Sequence, residues 1–480
     1  MFKPSLKPRS LAPLIYALRR TVLVQAMLAL AGCASVPDYT APALPASATG
    51  HFVSTPEQTD PAAAPPAQWW KLYDDRALDD LVSAALSANT DIRVALANLQ
   101  QAQAIYQQVR SDLLPATAVS AGVNYGRDQP SWSGPGQAPT QWSYSGGLAV
   151  SYELDLFGRV AHAINAAQAD ADAMTAAYHA AQVMVAAETT RAYVDSCNYG
   201  AALAVAQWSV DLTRQRLAIA RNQQQAGAVA DQDVERAQAT LSQDLSVAPP
   251  LQARRSAALF ELAALMGRTP AQVPASAQSC SSAPRLSAAL PVGDGAALLR
   301  RRPDVQQAER QLAGETARVG VATADLYPTI TLGSSVSYLR NDTLRGDRTL
   351  SFSVGPLISW TFPDQAAARS RITQAQARTA ASLARFDGSV LTALKESEQS
   401  LSAYASALSA RAELAEAREH AQRNLDLIDL RYRAGSASYL DVLSAKSNVA
   451  DASLQLADAD QRLGSVRVDV FKALGGGWSF

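Results

Sequence analysis

The sequence predicts a mainly α-helical chain that is built from one unit repeated twice and carries two pairs of membrane-type β-strands. Two octapeptides support this first, DLLPATAV at 112–119 and DLYPTITL at 325–332. Each follows a Pro-free stretch rich in Ala and Gln, and each opens a run in which apolar and polar residues alternate. The spacing of apolar residues therefore changes from a helical to an extended period at the same motif twice, which indicates a duplicated structural unit.

The N-terminus indicates export. Five basic residues precede the short apolar run TVLVQAMLALA, which leads into the tetrapeptide LAGC ending at Cys33. A run of this length suits the h-region of a secretory signal peptide and is too short to span a bilayer as a helix. LAGC resembles the lipobox of bacterial lipoproteins, in which the Cys becomes the lipidated first residue of the mature chain. An ordinary signal peptide with an incidental Cys stays open as the alternative.

These features set the first two boundaries. Residues 1–32 are assigned to the signal peptide, and residues 33–70, rich in Ala and Pro, to a lipidated linker that is expected to be an extended tether. Ala34 stands where Asp would favour retention in the inner membrane, so the lipobox resemblance implies the outer membrane. A covalent lipid on Cys33 is the only non-protein group expected.

The composition narrows the class of partner. The chain has 480 residues, 48% of them apolar, and balances 42 basic against 43 acidic residues. This balance gives no electrostatic reason to expect a nucleic acid as partner. No later segment offers 18 consecutive apolar residues, so further membrane contact is expected from β-strands.

Two repeats account for most of the chain. An offset of 213 residues aligns Tyr125 with Tyr338, and the same offset relates the two octapeptides. The first repeat is assigned to residues 71–266 and the second to 294–480. Residues 267–293, which contain four prolines, form a non-repeating segment between them.

Long helices are predicted in both repeats. Proline is absent from 140–248 and from 364–480. The stretch from 158 to 226, as one helix, would be roughly 100 Å long. Two shorter helices, at 79–111 and 231–266, would match that length when stacked end to end. Because Pro249 and Pro250 each lack a backbone donor, they are expected to interrupt and kink the second of these.

A helix-packing seam is predicted in the second repeat. Its apolar residues are spaced mostly by three and four positions, which is the coiled-coil period. They are Leu383, Phe386, Val390, Leu394, Leu401, Tyr404 and Leu408.

Four β-strands are predicted, at about 116–127, 142–156, 329–340 and 350–362. Alternation of apolar and polar residues over about ten positions, with aromatic residues near the ends, is typical of a transmembrane strand. Four strands are too few to close a barrel, and an open sheet in lipid would leave unpaired backbone groups at both edges. Several copies of the chain are therefore expected to share one barrel, and this argument leaves the copy number open.

The combined motifs resemble the TolC-like outer-membrane efflux channels, and among them the NodT-type lipoproteins of tripartite efflux systems driven by resistance-nodulation-division (RND) transporters. The resemblance covers nearly all of the mature chain. It rests on LAGC, on SYELDLFGR at 151–159, on LPVGDGAALLRRRPDV at 290–305, on ADLYP at 324–328, on RYRAGSASYLDVLSAK at 431–446 and on ALGGGW at 473–478.

The resemblance implies a homotrimer whose strands form a 12-stranded barrel, continued by a periplasmic α-helical coiled-coil barrel. It implies docking to a periplasmic adaptor and an inner-membrane RND transporter, and it makes residues 267–293 a belt at mid-height. The implied function is passive conduction of drugs or other small molecules from the periplasm to the exterior. Neither the cargo nor the particular partners can be read from the sequence.

A gate is implied at the two matched turns, AGAVADQDV from 226 and AGSASYLDV from 434. In the family, a carboxylate of the first turn bonds a Tyr just before the second, and these positions are Asp233 and Tyr432 here. Asp441 matches a carboxylate that rings the constriction. Ala437 replaces the Arg of the family, and either Arg431 or Arg433 is expected to substitute for it. The alternative is that Asp231, Asp233 and Asp441 cap helix N-termini, and for Asp231 it is favoured.

A disulfide is predicted between Cys197 and Cys280, the two cysteines that remain once Cys33 carries lipid. An exported chain meets an oxidising compartment, where an even pair favours a bridge over free thiols. Cys197 falls near mid-height on its helix and Cys280 falls in the belt. The sequence leaves both states open, since it does not fix the distance between the two residues.

Enzymatic activity is not expected. Four histidines occur, they are interpreted as solvated surface residues, and no Cys or His cluster has the spacing of metal ligands. Two alternatives to efflux stay open, an exit duct for protein secretion and a structural lipoprotein that spans the periplasm without conducting. The polar strand faces, with Ser143, Ser145, Glu153 and Asp155 directed inward, argue for a water-filled lumen and against the second.

Overall fold

The computed structural model describes residues 39–56, 59–127, 139–286, 289–363 and 365–476. The α-helices are α1 Arg76–Ala88, α2 Thr90–Arg110, α3 Arg159–Gln225, α4 Asp231–Leu265, α5 Ala275–Gln278, α6 Gly295–Arg301, α7 Pro303–Ala324, α8 Ala366–Arg433 and α9 Tyr439–Ala473. The strands are β1 Thr59–Asp60, β2 Ala116–Gly126, β3 Gln141–Leu154, β4 Leu290–Pro291, β5 Thr329–Arg340 and β6 Leu350–Ser359. In these ranges, no helix has both the length and the apolar character needed to cross a membrane.

The chain divides into two compact units. The strand unit comprises residues 102–171 and 310–383 together with the described residues up to Ala41. The helical unit comprises residues 42–101, 172–309 and 384–480, again as far as they are described. The four long strands belong to the first unit, and both matched turns belong to the second.

The strand unit is organised around a four-stranded antiparallel sheet in the order β2-β3-β5-β6. The hairpin β2-β3 belongs to the first repeat of the sequence and the hairpin β5-β6 to the second. The two hairpins are joined by pairing of β3 with β5, in which Tyr144 lies opposite Arg340 and Leu154 opposite Ile330. The predicted strands at 116–127, 142–156 and 329–340 agree with the observed bounds to within two residues. The largest difference is at β6, which ends at Ser359 rather than at 362.

The motif SYELDLFGR forms the passage from β3 to α3. The Asp155 carboxylate accepts the backbone N–H groups of Val160, at 3.1 Å, and Ala161, at 2.8 Å, and so caps a helix end that would otherwise have free donors. Glu153 forms an ion pair with Arg159 at 2.5 Å. Gly158 adopts a φ of +76°, a backbone conformation that favours glycine. The motif is therefore explained by local structure.

The helical unit holds the main hydrophobic core. Trp69 is fully buried and stacks on Phe471, with ring centroids 4.4 Å apart. Leu401 and Tyr404 of the predicted seam are buried in the same core. Within the seam, Phe386 and Val390 are also buried, Leu394 and Leu408 are partly buried, and Leu383 is 41% exposed, so the prediction fails at Leu383 alone.

The motif LPVGDGAALLRRRPDV closes this core around a buried cation. Asp294 caps α6 by accepting the N–H of Ala297 at 2.7 Å. Arg302 bonds both Asp304, at 2.6 Å, and Glu396, at 2.8 Å. Its guanidinium also donates to the carbonyl of Ala473 at 2.9 Å. Because a buried charge is stable only when it is paired and hydrogen-bonded, this network ties the start of the second repeat to its end.

Two helix predictions are corrected. The predicted 79–111 helix is divided into α1 and α2 at Asn89, whose side-chain oxygen accepts the N–H of Asp91 at 2.8 Å while its amide donates to the Leu265 carbonyl at 3.0 Å. The predicted interruption at Pro249 and Pro250 is wrong, since α4 continues through both. The Asn89 side chain ends one helix and caps the next, which a propensity argument does not capture.

The N-terminal linker is docked over the residues that the structure describes, and not a free tether. Phe52 is buried, and Thr59 pairs with Leu290 in the short parallel ladder of β1 and β4. The Glu398 carboxylate accepts the N–H groups of Val53, at 2.8 Å, and Ser54, at 2.9 Å. Ala- and Pro-rich composition predicted an extended tether, but these contacts fasten it to the helical unit. Cys33 and the signal peptide lie outside the described residues.

Candidate functional site

The sheet of the strand unit carries one continuous apolar face. The register places Val119 opposite Leu148, Leu148 opposite Val336, and Val336 opposite Phe352. Odd positions of β2 therefore share a face with even positions of β3, β5 and β6. Its large exposed side chains are Val119, Val123, Tyr125, Trp142, Tyr144, Leu148, Leu154, Leu332, Val336, Tyr338, Leu350, Phe352, Val354 and Ile358. An exposed apolar area of this extent marks a surface that meets lipid or protein.

The opposite face is polar. Ser335 and Ser353 bond each other across the strands at 2.8 Å, and Ser337 and Ser351 do so at 2.7 Å. Ser143 and Ser145 lie on this face of β3. Glu153 occupies the same face of β3 as Ser143 and Ser145, as predicted, and pairs there with Arg159. Asp155 lies just beyond the end of β3 and caps α3. Serine side chains supply most of the polar character of this face.

The two edges of this sheet are open in the single chain. Within the described residues, β2 pairs only with β3 and β6 only with β5. A sheet with one apolar face and two open edges cannot enter lipid alone, because unpaired N–H and C=O groups there cost several kcal/mol each. The sheet is thus a segment that further strands must complete.

The two matched turns have the same hydrogen bonds. In the first, Ala228 donates to Gln223 at 2.8 Å and Gly227 has a φ of +71°. In the second, Ser436 donates to Arg431 at 2.9 Å and Gly435 has a φ of +75°. Each is a glycine-based helix end of the Schellman type. The glycine of each AG dipeptide is therefore explained by the left-handed backbone conformation of the turn.

The carboxylates of the first turn bind locally. Asp233 accepts the N–H of Ala230 at 3.3 Å and lies 3.9 Å from Arg236. Asp231 accepts the side-chain amide of Gln224 at 2.8 Å. The favoured expectation that Asp231 caps a backbone donor is not what the structure shows. It is Asp233 that engages the N-cap residue.

Asp441 belongs to a capping box at the start of α9. Its carboxylate accepts both the N–H and the hydroxyl of Ser438 at 2.8 Å, and its own N–H donates to the Ser438 hydroxyl at 3.1 Å. These bonds, the backbone one foremost, lower the pKa of the Asp441 carboxyl. The signal S-x-x-D at 438–441 was readable from the sequence as a helix start.

Tyr432 and its two neighbouring arginines do not form the implied network within one chain. Tyr432 packs on Tyr439 with ring centroids 5.7 Å apart, and no hydrogen bond between Tyr432 and Asp233 occurs among the described residues. Arg433 pairs with Asp429 at 2.5 Å, and Arg431 donates to the Ser436 carbonyl at 3.4 Å. Neither arginine takes the place of the missing family Arg in these contacts.

The belt residue Cys280 is joined to α3. Its sulfur is bonded to that of Cys197, and their Cα atoms are 4.9 Å apart. Arg255 of α4 holds the same segment by donating to the carbonyls of Gln278, at 2.6 Å, and Cys280, at 3.1 Å. A Cβ on Gly200 would come within 2.8 Å of the Cys280 carbonyl oxygen. The belt therefore lies directly against α3, in agreement with the predicted disulfide.

The histidines divide into two kinds. His51 and His420 are exposed, as predicted. His162 and His179 are half-buried, so the prediction of a solvated surface position is wrong for both. Burial lowers the pKa of His179 to about 4. Among the residues described, no group of three or more His, Cys, Asp or Glu side chains could hold a metal ion.

Known proteins resemble the chain over nearly its whole length. The family model described as outer membrane efflux protein matches residues 81–268 and 296–476. Nodulation protein T of Rhizobium leguminosarum bv. trifolii is 28% identical over 457 residues, covering 94% of this chain and 96% of the relative. The solvent efflux pump outer membrane protein SrpC of Pseudomonas putida is 30% identical over 465 residues, covering 95% and 97%. The solved outer-membrane channel OprN superposes with a TM-score of 0.83 at 32% identity, over 93% of this chain and 100% of that one.

Proposed function

The chain belongs to the outer membrane efflux protein family, and from that membership we propose that it is the outer-membrane channel of a tripartite efflux pump. It conducts drugs or other small molecules passively from the periplasm to the exterior. The chain is a channel component and not an enzyme. Its place is the outer membrane, with its helices extending into the periplasm.

One observation carries the proposal, namely that a single sheet has an apolar face, a serine-rich face and two open edges. The apolar face fits the hydrocarbon of the membrane, and the polar face fits water. A structural lipoprotein that only spanned the periplasm would have no use for a hydroxyl ladder such as Ser335–Ser353 and Ser337–Ser351. Joining open edges between copies satisfies the backbone and encloses the polar face.

We propose that three chains complete this structure, with four long strands from each in a 12-stranded barrel. The copy number rests on the family resemblance. A periplasmic adaptor and an inner-membrane RND transporter dock to the trimer and select the cargo.

We also propose the domain boundaries given by the sequence. The signal peptide comprises residues 1–32 and the linker residues 33–70. The two repeats comprise residues 71–266 and 294–480, with residues 267–293 between them.

A lipid on Cys33 is a further part of the proposal. The tetrapeptide LAGC, placed directly after a secretory h-region, supports it. The docking of Val53 and Ser54 on Glu398 then fixes the linker some twenty residues after the lipid. The lipid would fasten the chain to the outer membrane in addition to its strands.

The mouth of the channel is proposed to lie at the two matched turns. Asp233, Tyr432 and Asp441 are the side chains assigned to it, with Arg431 and Arg433 assigned as supporting side chains. All five lie within or next to those turns, where they are exposed or half-buried. Their repetition in every chain would surround the entrance with carboxylates and tyrosines.

Adjacent residues on opposite sheet faces test the channel proposal. Phe352→Arg places a charge on the apolar face, which costs about 2 to 4 kcal/mol at the membrane midplane, so trimers should be lost from the outer membrane. Ser353→Arg places the same charge on the polar face, so trimers should form and single-channel conductance in a planar bilayer should fall. A wild-type trimer without conductance, or equal behaviour of the two variants, would refute the proposal.

A further inference from the structure

The helical unit contains a cavity of about 340 Å³ beside the disulfide. Its walls come from α3, α8 and α9, from the segment just after Cys280, and from Tyr73 before α1. The polar side chains that line it are Tyr73, Asn198, Arg285, Arg411, Asp460 and Arg467. A volume of this size is at the lower end of the range for small-molecule sites.

Buried donors in this wall have no partner. Tyr73 and Asn198 are 3% and 6% exposed. The Tyr73 hydroxyl, the Asn198 side-chain nitrogen and Arg467 Nε make no hydrogen bond among the described residues. Leaving a buried polar group unpaired costs about 1 to 3 kcal/mol, so three such groups around one cavity indicate a missing partner. Because two of these groups, Asn198 Nδ2 and Arg467 Nε, can only donate, that partner is an acceptor.

The charge of the cavity also favours an acceptor, and one that is negatively charged. Arg411 is paired with Asp460 at 2.8 Å. Arg285 and Arg467 have no ion pair among the described residues, so the cavity carries an excess of two positive charges. Burial raises the pKa of Tyr73, and the charge of Arg467 acts against that shift, so the hydroxyl lies within electrostatic range of the guanidinium. Arginine forks match carboxylate and phosphate oxygens in geometry.

The cavity is preformed. One wall, from Ser282 to Leu286, is fixed by the Cys197–Cys280 bond and by the two bonds from Arg255 to the belt carbonyls. The lining also includes Gly464 of α9, where a Cβ would come within 2.8 Å of Val194 of α3. Helices α3 and α9 therefore approach closely behind the cavity, and the site needs little rearrangement to accept a ligand.

We propose that this cavity binds a small oxyanion, a phosphate or a carboxylate of an organic acid, held chiefly by Arg467 and Arg285 with Asn198 and Tyr73 as neutral donors. The site lies wholly in the helical unit and involves none of the residues assigned to the mouth. It does not depend on the proposed function. A bound anion would satisfy donors that otherwise stay unpaired, and it would join the belt to α3 and α9.

The test uses the full-length chain purified as its native oligomer in detergent, with inorganic phosphate and citrate as separate probes in isothermal titration calorimetry. The two probes distinguish phosphate from carboxylate chemistry at constant ionic strength. Arg467→Gln should weaken binding by about tenfold or more, since a hydrogen bond to a charged group is worth at least that factor. Asn198→Asp preserves the side-chain volume but adds a negative charge, and it should abolish binding.

Arg462→Gln is the matched control. Arg462 lies on the same helix and pairs with Asp458 at 2.7 Å, so the variant removes one positive charge outside the cavity and should keep the affinity within about twofold. Oligomer content and conductance show that each variant has folded. Binding that is equal in Arg467→Gln and wild type would reveal surface attraction only, and absence of binding by both probes in the wild type would equally overturn the proposal.

Discussion

Asp441 and Ser438 bind each other across the first turn of α9, carboxylate to hydroxyl and backbone N–H to hydroxyl. The same carboxylate is the one assigned to the ring of charge at the channel mouth. Its observed capping role and its proposed electrostatic role share one side chain, and the two can be separated experimentally. Asp441 is fully exposed and its pKa is lowered, so it stays ionised at neutral pH.

Asp441→Asn is expected to lower the cation preference of the channel and its block by multivalent cations, because it removes the charge and keeps a side chain that can accept from Ser438. Ser438→Ala removes the hydroxyl partner and keeps the charge, so cation preference should be unchanged. Reversal potentials in a salt gradient across a planar bilayer measure the difference. Equal loss of selectivity in both variants would assign the effect to helix capping.

Asp233→Ala combined with Tyr432→Phe is expected to raise conductance and to admit large antibiotics. The family resemblance implies that a hydrogen bond between these two side chains holds the mouth closed. Since the bond is not formed within the single chain of this structure, we expect it to form between chains. Single-channel recordings and antibiotic susceptibility measure the effect of the double variant. Tyr439→Phe is the control, since it removes only the bond from the Tyr439 hydroxyl to Gln215, at 3.2 Å. Unchanged conductance in the double variant, with trimers intact, would show that other residues close the mouth.

The Cys197–Cys280 bond should leave no free thiol in the denatured, unreduced mature protein, and thiol labelling measures this. Replacing both cysteines by Ser should destabilise the belt by about 2 to 4 kcal/mol, because the bond closes a long loop. Limited trypsin digestion at Arg268 and Arg285 should then accelerate. Two reactive thiols in the wild type, or equal cleavage rates in both proteins, would contradict the expectation.

His179 is expected to make stability depend on pH. Burial lowers its pKa from 6.5 to about 4, so between those values the unfolded chain binds a proton that the folded chain does not. Stability should therefore fall as pH falls through that window. Thermal unfolding of His179→Gln should show a weaker pH dependence than the wild type, while His51→Gln, at an exposed position, should follow the wild type. Parallel curves for wild type and His179→Gln would exclude the effect.

Cys33→Ser, with a signal peptide that is still cleaved, should leave trimers in the outer membrane. One or a few acyl chains bury far less apolar surface than the strand faces do. Membrane fractionation and gel mobility of unheated samples measure this. Recovery of the variant only as a soluble periplasmic monomer would show that the lipid is needed for insertion.

The strands and long helices were predictable because their signals are periodic and local. The alternation of apolar and polar residues predicted the ends of β2, β3 and β5 to within two residues. The absence of proline predicted long helices in the regions of α3 and α8. Asn89 was not predictable, because its helix-ending conformation depends on a bond to the distant Leu265 carbonyl. The docking of Val53 and Ser54 was missed for the same reason, since their partner Glu398 lies more than three hundred residues away.

The positions of the two matched turns were predictable, whereas the hydrogen bonds of their carboxylates were less so. The matched motifs AGAVADQDV and AGSASYLDV predicted where the turn glycines and their neighbouring residues lie. Asp233 bonds the N-cap backbone where Asp231 was expected to do so, because both lie in the first turn of α4 and either carboxylate can reach a nearby donor. The cavity beside the disulfide had no sequence signal, since its lining is gathered from five separate parts of the chain.

The two open sheet edges have a consequence for how copies would assemble. One sheet has two unpaired edges, and two or more sheets joined side by side in an open row still have two. Only the step that closes the row into a ring removes both at once. Every joining step pairs two edges, and ring closure pairs the last two without requiring a further copy, whereas every open row keeps two edges unpaired in lipid. Partial assemblies should therefore be scarce at equilibrium, and complete rings should form with high cooperativity.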